Sequence, residues 1–290
     1  MRFFIELMVS ALSIGAIYGL IAMAFAVIYK ATGLVNFAQG EITMIVAYVA
    51  WTIATTVTGN IFVVVITAIV FSALLGLMIE RVIMRPMLGE PVFATVMVTI
   101  GLAVILRSSI NFIWDAYPHA FDLGVGREVM RVGGVAARSA QLAAIATLIA
   151  SIGVFWLFFR YSKLGIAMRA VAADDRTALL MGVSAARIHA LAWAASSVLA
   201  GIAGVLFALT YDISPAMFQL GLKAFPATIL GGLDSVNGSA IGGILIGITE
   251  NVASGYIAPS MKEVAGFVMI IVVLMVRPFG LFGERDIERV

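Results

Sequence analysis

Cysteine is absent from this sequence, and histidine occurs only at positions 119 and 189. Disulfides, cysteine-ligated zinc and thiol catalysis are therefore excluded, and two histidines cannot build a histidine-rich metal site, so no metal site is predicted. The phosphate-loop motif G-x-x-x-x-G-K-[ST] is also missing, which predicts that this chain does not hydrolyse ATP. No H-E-x-x-H, G-x-S-x-G or other nucleophile–base set can be assembled, which disfavours a membrane enzyme.

Charge is scarce and apolar residues are abundant. Hydrophobic residues make up 62% of the 290 and charged residues 12%, with a mean hydropathy of +1.11. Soluble domains average about 45–50% apolar and about 25% charged residues. The bases are scattered among apolar runs rather than gathered in a stripe with aromatics, so nucleic-acid binding is not expected. The composition predicts a protein whose outer surface is solvated by lipid.

Apolar runs long enough to cross a bilayer recur along the chain, since a helix needs about 20 such residues. A further apolar stretch, 222–253, is interrupted near Asp234 and Asn237 by glycines, and broken backbone at membrane depth must be buried in protein or line a cavity. We interpret it as a broken helical hairpin that starts and ends on one side. The sequence thus predicts an all-α, polytopic integral membrane protein of about eight segments, forming a single domain over 1–290. The other predicted spans are 6–29, 36–57, 61–80, 92–112, 140–160, 188–210 and 264–277.

The distribution of Lys and Arg predicts the orientation of the chain. With the N-terminus outside, eleven of the 18 basic residues fall on the cytoplasmic side and six outside, with Arg107 inside a span. An excess of basic residues marks cytoplasmic loops. Residues 113–139 are then an external loop, residues 161–187 are a cytoplasmic loop, and the C-terminus is cytoplasmic.

Polar side chains occur at two interruptions of the apolar pattern, and such residues are candidates for a solute pathway or its gates. The first interruption holds Asn36, Gln39 and Glu41, where Asn36 and Gln39 fall on one helical face, and the second holds Asp234 and Asn237. An alternative for the first group is helix capping near the interface, with Asn36 as the N-cap.

Two further charges lie in predicted spans, namely Arg107 and Glu250. Arg107 is close to the outer end of its span, so we expect its long side chain to reach the interface rather than a solute. Small residues at four-residue spacing, such as Gly15 with Gly19 and Gly243 with Gly247, predict close helix packing.

The cytoplasmic loop 161–187 contains helix formers up to Gly182, a residue type that often ends helices. A stripe of apolar and small residues predicts a short amphipathic helix parallel to the membrane. Alternatives are a solvated connector or an interfacial anchor without partners. The stripe consists of Ile166, Ala170, Ala173, Thr177 and Leu180.

These stretches resemble the H-type (LivH-like) permease subunits of ABC importers for branched-chain amino acids. Residues 36–41 are similar to the family segment N-F-A-x-G-[DE], although Gln39 stands where many relatives carry histidine. The resemblance covers nearly the whole chain in family order. It is carried by residues 15–29 with 35–41, 165–183, 227–243 and 277–283.

The resemblance implies a bacterial inner-membrane permease that pairs with a second permease subunit. Two cytoplasmic ATPase subunits would bind ATP and Mg²⁺, so this chain would hold no cofactor, and a periplasmic substrate-binding protein would deliver the solute. The loop 161–187 would be the coupling helix that docks on an ATPase, and the loop 113–139 would contact the binding protein. The residues expected at the ATPase are Arg169, Asp174, Asp175, Arg176, Met181 and Gly182.

The main alternative is a self-contained secondary transporter or channel, in which Glu41 and Glu250 would carry a proton or sodium ion. Partner dependence separates the two hypotheses. Leucine-type amino acids, other amino acids, amides and urea all remain open as solutes.

Overall fold

The computed structural model describes residues 2–124, 126, 128–132, 135–173 and 175–283. The described part of the chain is mainly helical, because each long apolar run satisfies its backbone hydrogen bonds within a helix. A short π-helix, Glu80–Met84, and a 3₁₀ helix, Arg85–Met87, extend α3, and a second 3₁₀ helix, Pro215–Phe218, leads into α9. The α-helices are α1 (Arg2–Thr32), α2 (Gln39–Thr56), α3 (Ile61–Ile79), α4 (Val92–Ile113), α5 (Ser139–Tyr161), α6 (Lys163–Ala173), α7 (Asp175–Leu180), α8 (Ala185–Thr210), α9 (Gln219–Gly231), α10 (Val236–Tyr256) and α11 (Met261–Val276).

Five of these helices are long and apolar enough to cross a membrane, and a bent pair raises the number to six. The polytopic all-α class is therefore confirmed, whereas the predicted count of about eight segments is not. The difference comes from the spans 36–57 and 264–277: α2 begins with the polar residues Gln39 and Glu41 and is therefore less apolar, and α11 has only 16 residues.

The predicted break within 222–253 is present. The chain bends by 119° between the segments Pro215–Gly231 and Val236–Tyr256. Ser235 caps α10 by accepting a hydrogen bond from Gly238 N at 3.1 Å. Gly232 has a φ of +107°, a conformation that favours glycine, and its position against Gly283 leaves no room for a side chain. The C-terminal segment closes over the bend through a hydrogen bond from Leu281 N to Leu230 O.

Helix α1 is the central helix of the bundle. In α1, 94% of the most apolar stretch of the helix is buried, compared with 11% of the corresponding stretch of α5. Close approach to α10 depends on glycine: Gly243 packs directly on the backbone of Gly19, and Gly247 packs on Gly15. This confirms the prediction made from small-residue spacing, since a larger side chain at these positions would separate the two helices.

The two ends of the bundle are distinct. At one end, which we call the Lys30 end, Lys30 donates a hydrogen bond to Asp234 O at 2.9 Å and its Nζ lies 5.5 Å from the centre of the Phe159 ring. At the other, which we call the hairpin end after the β-hairpin of the loop 113–139 and not after the broken helices 222–253, His119 and Ile213 exchange backbone hydrogen bonds of 2.8 and 2.9 Å. The loop 161–187 lies at the Lys30 end and the loop 113–139 at the hairpin end, so the two predicted loops are on opposite sides.

The loop 113–139 contains an antiparallel pair of strands, β1 (Val129–Val132) and β2 (Val135–Arg138), which the all-helical prediction omitted. Hydropathy detects membrane spans but not a two-stranded element in water. Arg138 also donates a hydrogen bond to Thr210 O at 3.2 Å, which ties this loop to the end of α8.

The loop 161–187 forms two helices, α6 and α7, rather than one. The face of α6 that packs on the bundle contains Gly165, Met168 and Val171. The described members of the predicted stripe face away from the bundle: Ile166 is 51% exposed and Leu180 is 88% exposed. Periodicity indicated which residues share a face but not which face is buried.

Gly182 ends α7 as predicted. Its φ is +83°, its N–H donates to Leu179 O at 3.0 Å, and Val183 N donates to Ala178 O at 3.0 Å. This pair of bonds with a left-handed glycine is the Schellman motif. We call the loop 161–187, with α6 and α7, the connector, and its tip is the turn at Gly182, which is therefore fixed by backbone geometry.

Candidate translocation site

The site begins where the helical backbone is interrupted between α1 and α2. Residues 33–35 have no regular structure, and residues 36–38 lead into the first turn of α2 at Gln39. Gln39 Nε2 lies 3.5 Å from Ser196 O. Ser196 is roughly 16 Å from the start of α8, at 1.5 Å per residue. Helix α2 thus begins inside the bundle, and the predicted span 36–57 is a broken crossing rather than one helix.

Asn36 and Gln39 are joined directly in this interior. Asn36 Nδ2 donates to Gln39 Oε1 at 2.9 Å, and Asn36 Oδ1 accepts from Ala38 N at 3.0 Å. Both side chains are buried. The N-cap position of α2 is Ala38, so the alternative in which Asn36 is the N-cap is wrong. Asn36 instead satisfies a backbone N–H of the segment that precedes the helix.

Ser196 extends this pair to two further helices. Its Oγ lies 2.8 Å from Ala24 O of α1 and 3.4 Å from Gln39 Oε1. We call Asn36, Gln39 and Ser196 the central amide network. Three elements therefore meet at buried polar groups in an otherwise apolar core, where a low dielectric makes each hydrogen bond costly to lose.

Glu41 lies two residues after Gln39, about half a turn further along α2. It forms an ion pair with Arg107 of α4, and the Arg107 guanidinium carbon lies 3.4 Å from the centre of the Phe218 ring. The Glu41 side chain is 3% exposed and the Arg107 side chain 39% exposed. We expected the long Arg107 side chain to reach the interface; the structure adds a contact that this expectation did not include, since its charged end binds a buried carboxylate.

Gly40 explains how Phe218 approaches this ion pair. The backbone of Gly40 packs directly on Phe218 O and on Gly221, and a Cβ at either glycine would collide with the other segment. Sequence inspection missed Ser196 and Phe218 as members of the site. The available signal was the presence of two opposite intramembrane charges, Glu41 and Arg107, since such charges usually pair.

The second predicted pair, Asp234 and Asn237, lies elsewhere. Asp234 accepts the hydrogen bond from Lys30 through its backbone oxygen, and Asn237 lines a pocket of about 590 Å³ at the Lys30 end. Along α1, Lys30 is roughly 9 Å from Ala24, whose carbonyl oxygen contacts the central amide network. The five predicted pathway residues therefore form two groups: three are at the centre of the bundle and two are at its end.

Glu250 belongs to a separate buried cluster. Tyr18 Oη donates to Glu250 Oε2 at 3.1 Å, and Lys223 Nζ lies 3.8 Å from Glu250 Oε1. This cluster joins α1, α9 and α10. Both intramembrane glutamates consequently have a basic partner.

The residues predicted to couple to an ATPase lie in α6, α7 and the turn after them. Arg169 of α6 lines the same pocket as Asn237, whereas Met181 is 81% exposed beside the Gly182 turn. Asp174 lies outside the described residues, and so do the side chains of Asp175 and Arg176.

A bundle with interrupted helices, buried charges at membrane depth and an amphipathic connector at one end is the architecture of a polytopic transport protein. Residues 7–275 match the family described as "Branched-chain amino acid transport system / permease component", and the chain belongs to that family. It is therefore a membrane permease of this transport-system type, as the resemblance predicted.

Named relatives agree along nearly the full length. The chain is 33% identical over 304 residues to the high-affinity branched-chain amino acid transport system permease protein LivH of Escherichia coli K12, covering 99% of this chain and 98% of the relative. It is 30% identical over 303 residues to the corresponding protein BraD of Pseudomonas aeruginosa, with the same coverage. A probable LivH of Methanocaldococcus jannaschii is 26% identical over 286 residues, or 91% of this chain and 88% of the relative. No solved structure matches the chain.

Proposed function

We propose that this chain is the permease subunit of an ABC importer for branched-chain or related amino acids. It forms the translocation path with a second permease subunit, and two cytoplasmic ATPase subunits that bind ATP and Mg²⁺ drive the cycle. The observation that carries the proposal is the central amide network on interrupted backbone, in a chain whose relatives are named for branched-chain amino acid transport.

The network and the adjacent ion pair supply polar groups at the depth where a solute must pass. Arg107 keeps a spare donor, because its buried Nε has no hydrogen-bond partner in the part of the chain that the structure describes. A zwitterionic solute offers a carboxylate to Arg107 and an ammonium group to Glu41. Asn36 and Gln39 provide neutral donors and acceptors beside them. Asp234 and Asn237 form the gate at the Lys30 end.

Coupling to the ATPases is assigned to α6, α7 and the Gly182 turn. Leu179, Leu180 and Met181 are exposed apolar side chains at the tip of this connector, next to the charged segment 174–176. An exposed apolar tip with charged neighbours suits docking in a groove of another protein. Arg169 stands on the opposite part of the connector, so motion of the tip is passed to the bundle through the buried face of α6.

The orientation follows from the same assignment. The Lys30 end faces the cytoplasm of a bacterial inner membrane, the N-terminus is outside and the C-terminus is inside. The loop 113–139 at the hairpin end then contacts a periplasmic substrate-binding protein. The excess of basic residues on the proposed cytoplasmic side supports this arrangement.

Affinity purification of the chain from native membranes, followed by mass spectrometry, tests the proposal. We expect two ATPase subunits and a second permease subunit to be retained, and uptake of radiolabelled leucine to stop when ATP is depleted. The ion-coupled alternative predicts a homo-oligomer whose uptake survives ATP depletion. That alternative is disfavoured by the pairing of Glu41 with Arg107 and of Glu250 with Lys223. A carboxylate held in an ion pair is less available to bind a proton or a sodium ion.

A further inference from the structure

Besides Asn237, which we assign to the gate, the pocket at the Lys30 end is lined by basic and aromatic side chains that the transport path does not explain. Its volume is about 590 Å³, and it lies between the end of α1, the end of α5, the middle of α6 and the first turn of α10. Basic and aromatic side chains dominate its walls. The lining residues are Lys30, Phe155, Trp156, Phe159, Arg160, Arg169, Ser235, Val236 and Asn237.

The charge of this pocket is strongly one-sided. Three of the lining residues, Lys30, Arg160 and Arg169, are cations, and none is an aspartate or glutamate. Lys30 lies over the ring of Phe159, and Arg160 lies 5.5 Å from the ring centre of Trp156. Neither arginine has a carboxylate within ion-pair distance in the ranges that the structure describes. Three cations and no acidic side chain among the described lining residues favour an anionic occupant.

The first turn of α10 adds donors at the same place. Ser235 and Asn237 line the pocket, and the N-terminus of a helix carries partial positive charge. Of the Asn237 amide, only the nitrogen can donate to an anion. Phosphate oxygens are suited to such a combination of cations and helix N-terminus.

The wall formed by α5 opens toward lipid. Val154, Trp156 and Leu157 are exposed apolar side chains, and Arg160 and Tyr161 follow them at the end of the helix. Aromatic and basic residues in this order mark the level of lipid headgroups. A headgroup in the pocket would therefore have its acyl chains along the exposed face of α5.

We infer that this pocket binds the phosphate-bearing headgroup of an anionic phospholipid. Lys30, Arg160 and Arg169 supply the charge, Trp156 packs on the glycerol region, and α10 presents Ser235 and Asn237. Because Arg169 belongs to α6 and Arg160 to α5, the lipid joins the connector to the bundle. The inference concerns lipid alone and holds whichever solute the permease carries.

Native mass spectrometry of the purified transporter complex in equimolar phosphatidylglycerol and phosphatidylcholine tests the inference. We expect the wild type to retain phosphatidylglycerol selectively. The double variant Arg160→Gln with Arg169→Gln loses this preference, by roughly fivefold for each removed cation. Thermal unfolding of the variant, measured in parallel, is expected to match the wild type because both arginines are exposed.

A matched control removes two other cations at the same end. Lys163 and Arg187 are exposed and lie outside the pocket lining. The double variant Lys163→Gln with Arg187→Gln should keep the wild-type preference. Equal loss in both double variants indicates diffuse charge attraction and overturns the site. No preference in the wild type, or a preference that survives in Arg160→Gln with Arg169→Gln, overturns it too. Displacement of lipid by inorganic phosphate would assign the pocket to free phosphate instead.

Discussion

Glu41 of α2 and Arg107 of α4 form an ion pair inside the bundle, with the Arg107 guanidinium stacked on Phe218. This contact links three segments that are far apart in the chain. It lies next to the point where α2 begins at depth, so the backbone interruption and the buried charges occupy one region. The pair has two roles open to test: it holds these segments together, and it presents charge to a solute.

Removing one partner of this pair leaves the other charge without compensation. We expect Arg107→Gln to be the more harmful single change, because it leaves Glu41 almost fully buried. The loss of stability should be about 1–3 kcal/mol, below the value for a fully buried pair because Arg107 is 39% exposed. Thermal unfolding of the purified protein in detergent measures this loss.

The double variant Glu41→Gln with Arg107→Gln is the control for that experiment. It removes both charges, so it should be more stable than Arg107→Gln alone. A double variant whose loss equals the sum of the two single losses would show that the residues do not interact. The single variant Glu41→Gln should also retain the ATP dependence of any remaining uptake. Loss of an ion requirement in Glu41→Gln would support the secondary-carrier hypothesis.

The helices could be predicted from sequence because lipid leaves apolar backbone few other conformations. The interruption near Asp234 was visible because glycines and polar residues break an apolar run there. The partner of Glu41 was missed: Arg107 was visible as an opposite charge within a span, but 66 residues separate the two and hydropathy does not show which charges meet. The face of α6 was also ambiguous: Met168 and Ile166 are both apolar, and only packing decides that Met168 is buried.

The contact between α1 and α10 predicts a strict size limit at Gly243. Gly243→Ala should lower the free energy of unfolding by about 1–3 kcal/mol, because the new Cβ collides with the Gly19 backbone. Gly153→Ala on α5 is the matched control, since a Cβ there meets nothing within 4 Å. That control should be neutral or slightly stabilising because alanine favours the helix. Equal behaviour of the two variants would contradict the close packing.

Because the side chains at the connector tip are exposed, changing them should weaken binding of the ATPase subunits without unfolding the permease. Leu180→Ser with Met181→Ser should leave the purified permease folded, because both side chains are highly exposed, while co-purification of the ATPase subunits falls several-fold. Reversing the charges of Asp174 and Asp175 should likewise uncouple transport. Tyr117→Ser at the hairpin end changes an equally exposed side chain and should have no effect on ATPase retention. Unchanged retention and uptake in the tip variants would exclude this element as the coupling site.

The absence of native cysteine permits a direct test of orientation. Single cysteines at Tyr117 and Leu180 occupy opposite ends of the bundle, and both native side chains are exposed. With the Lys30 end in the cytoplasm, a membrane-impermeant maleimide added to cells with a permeabilised outer membrane should label Tyr117→Cys at once. It should label Leu180→Cys only after the inner membrane is opened. The wild-type chain gives the background, because it has no thiol. The reverse pattern would place the connector outside, where no ATP-driven subunit could reach it, and would contradict both the orientation and the coupling assignment.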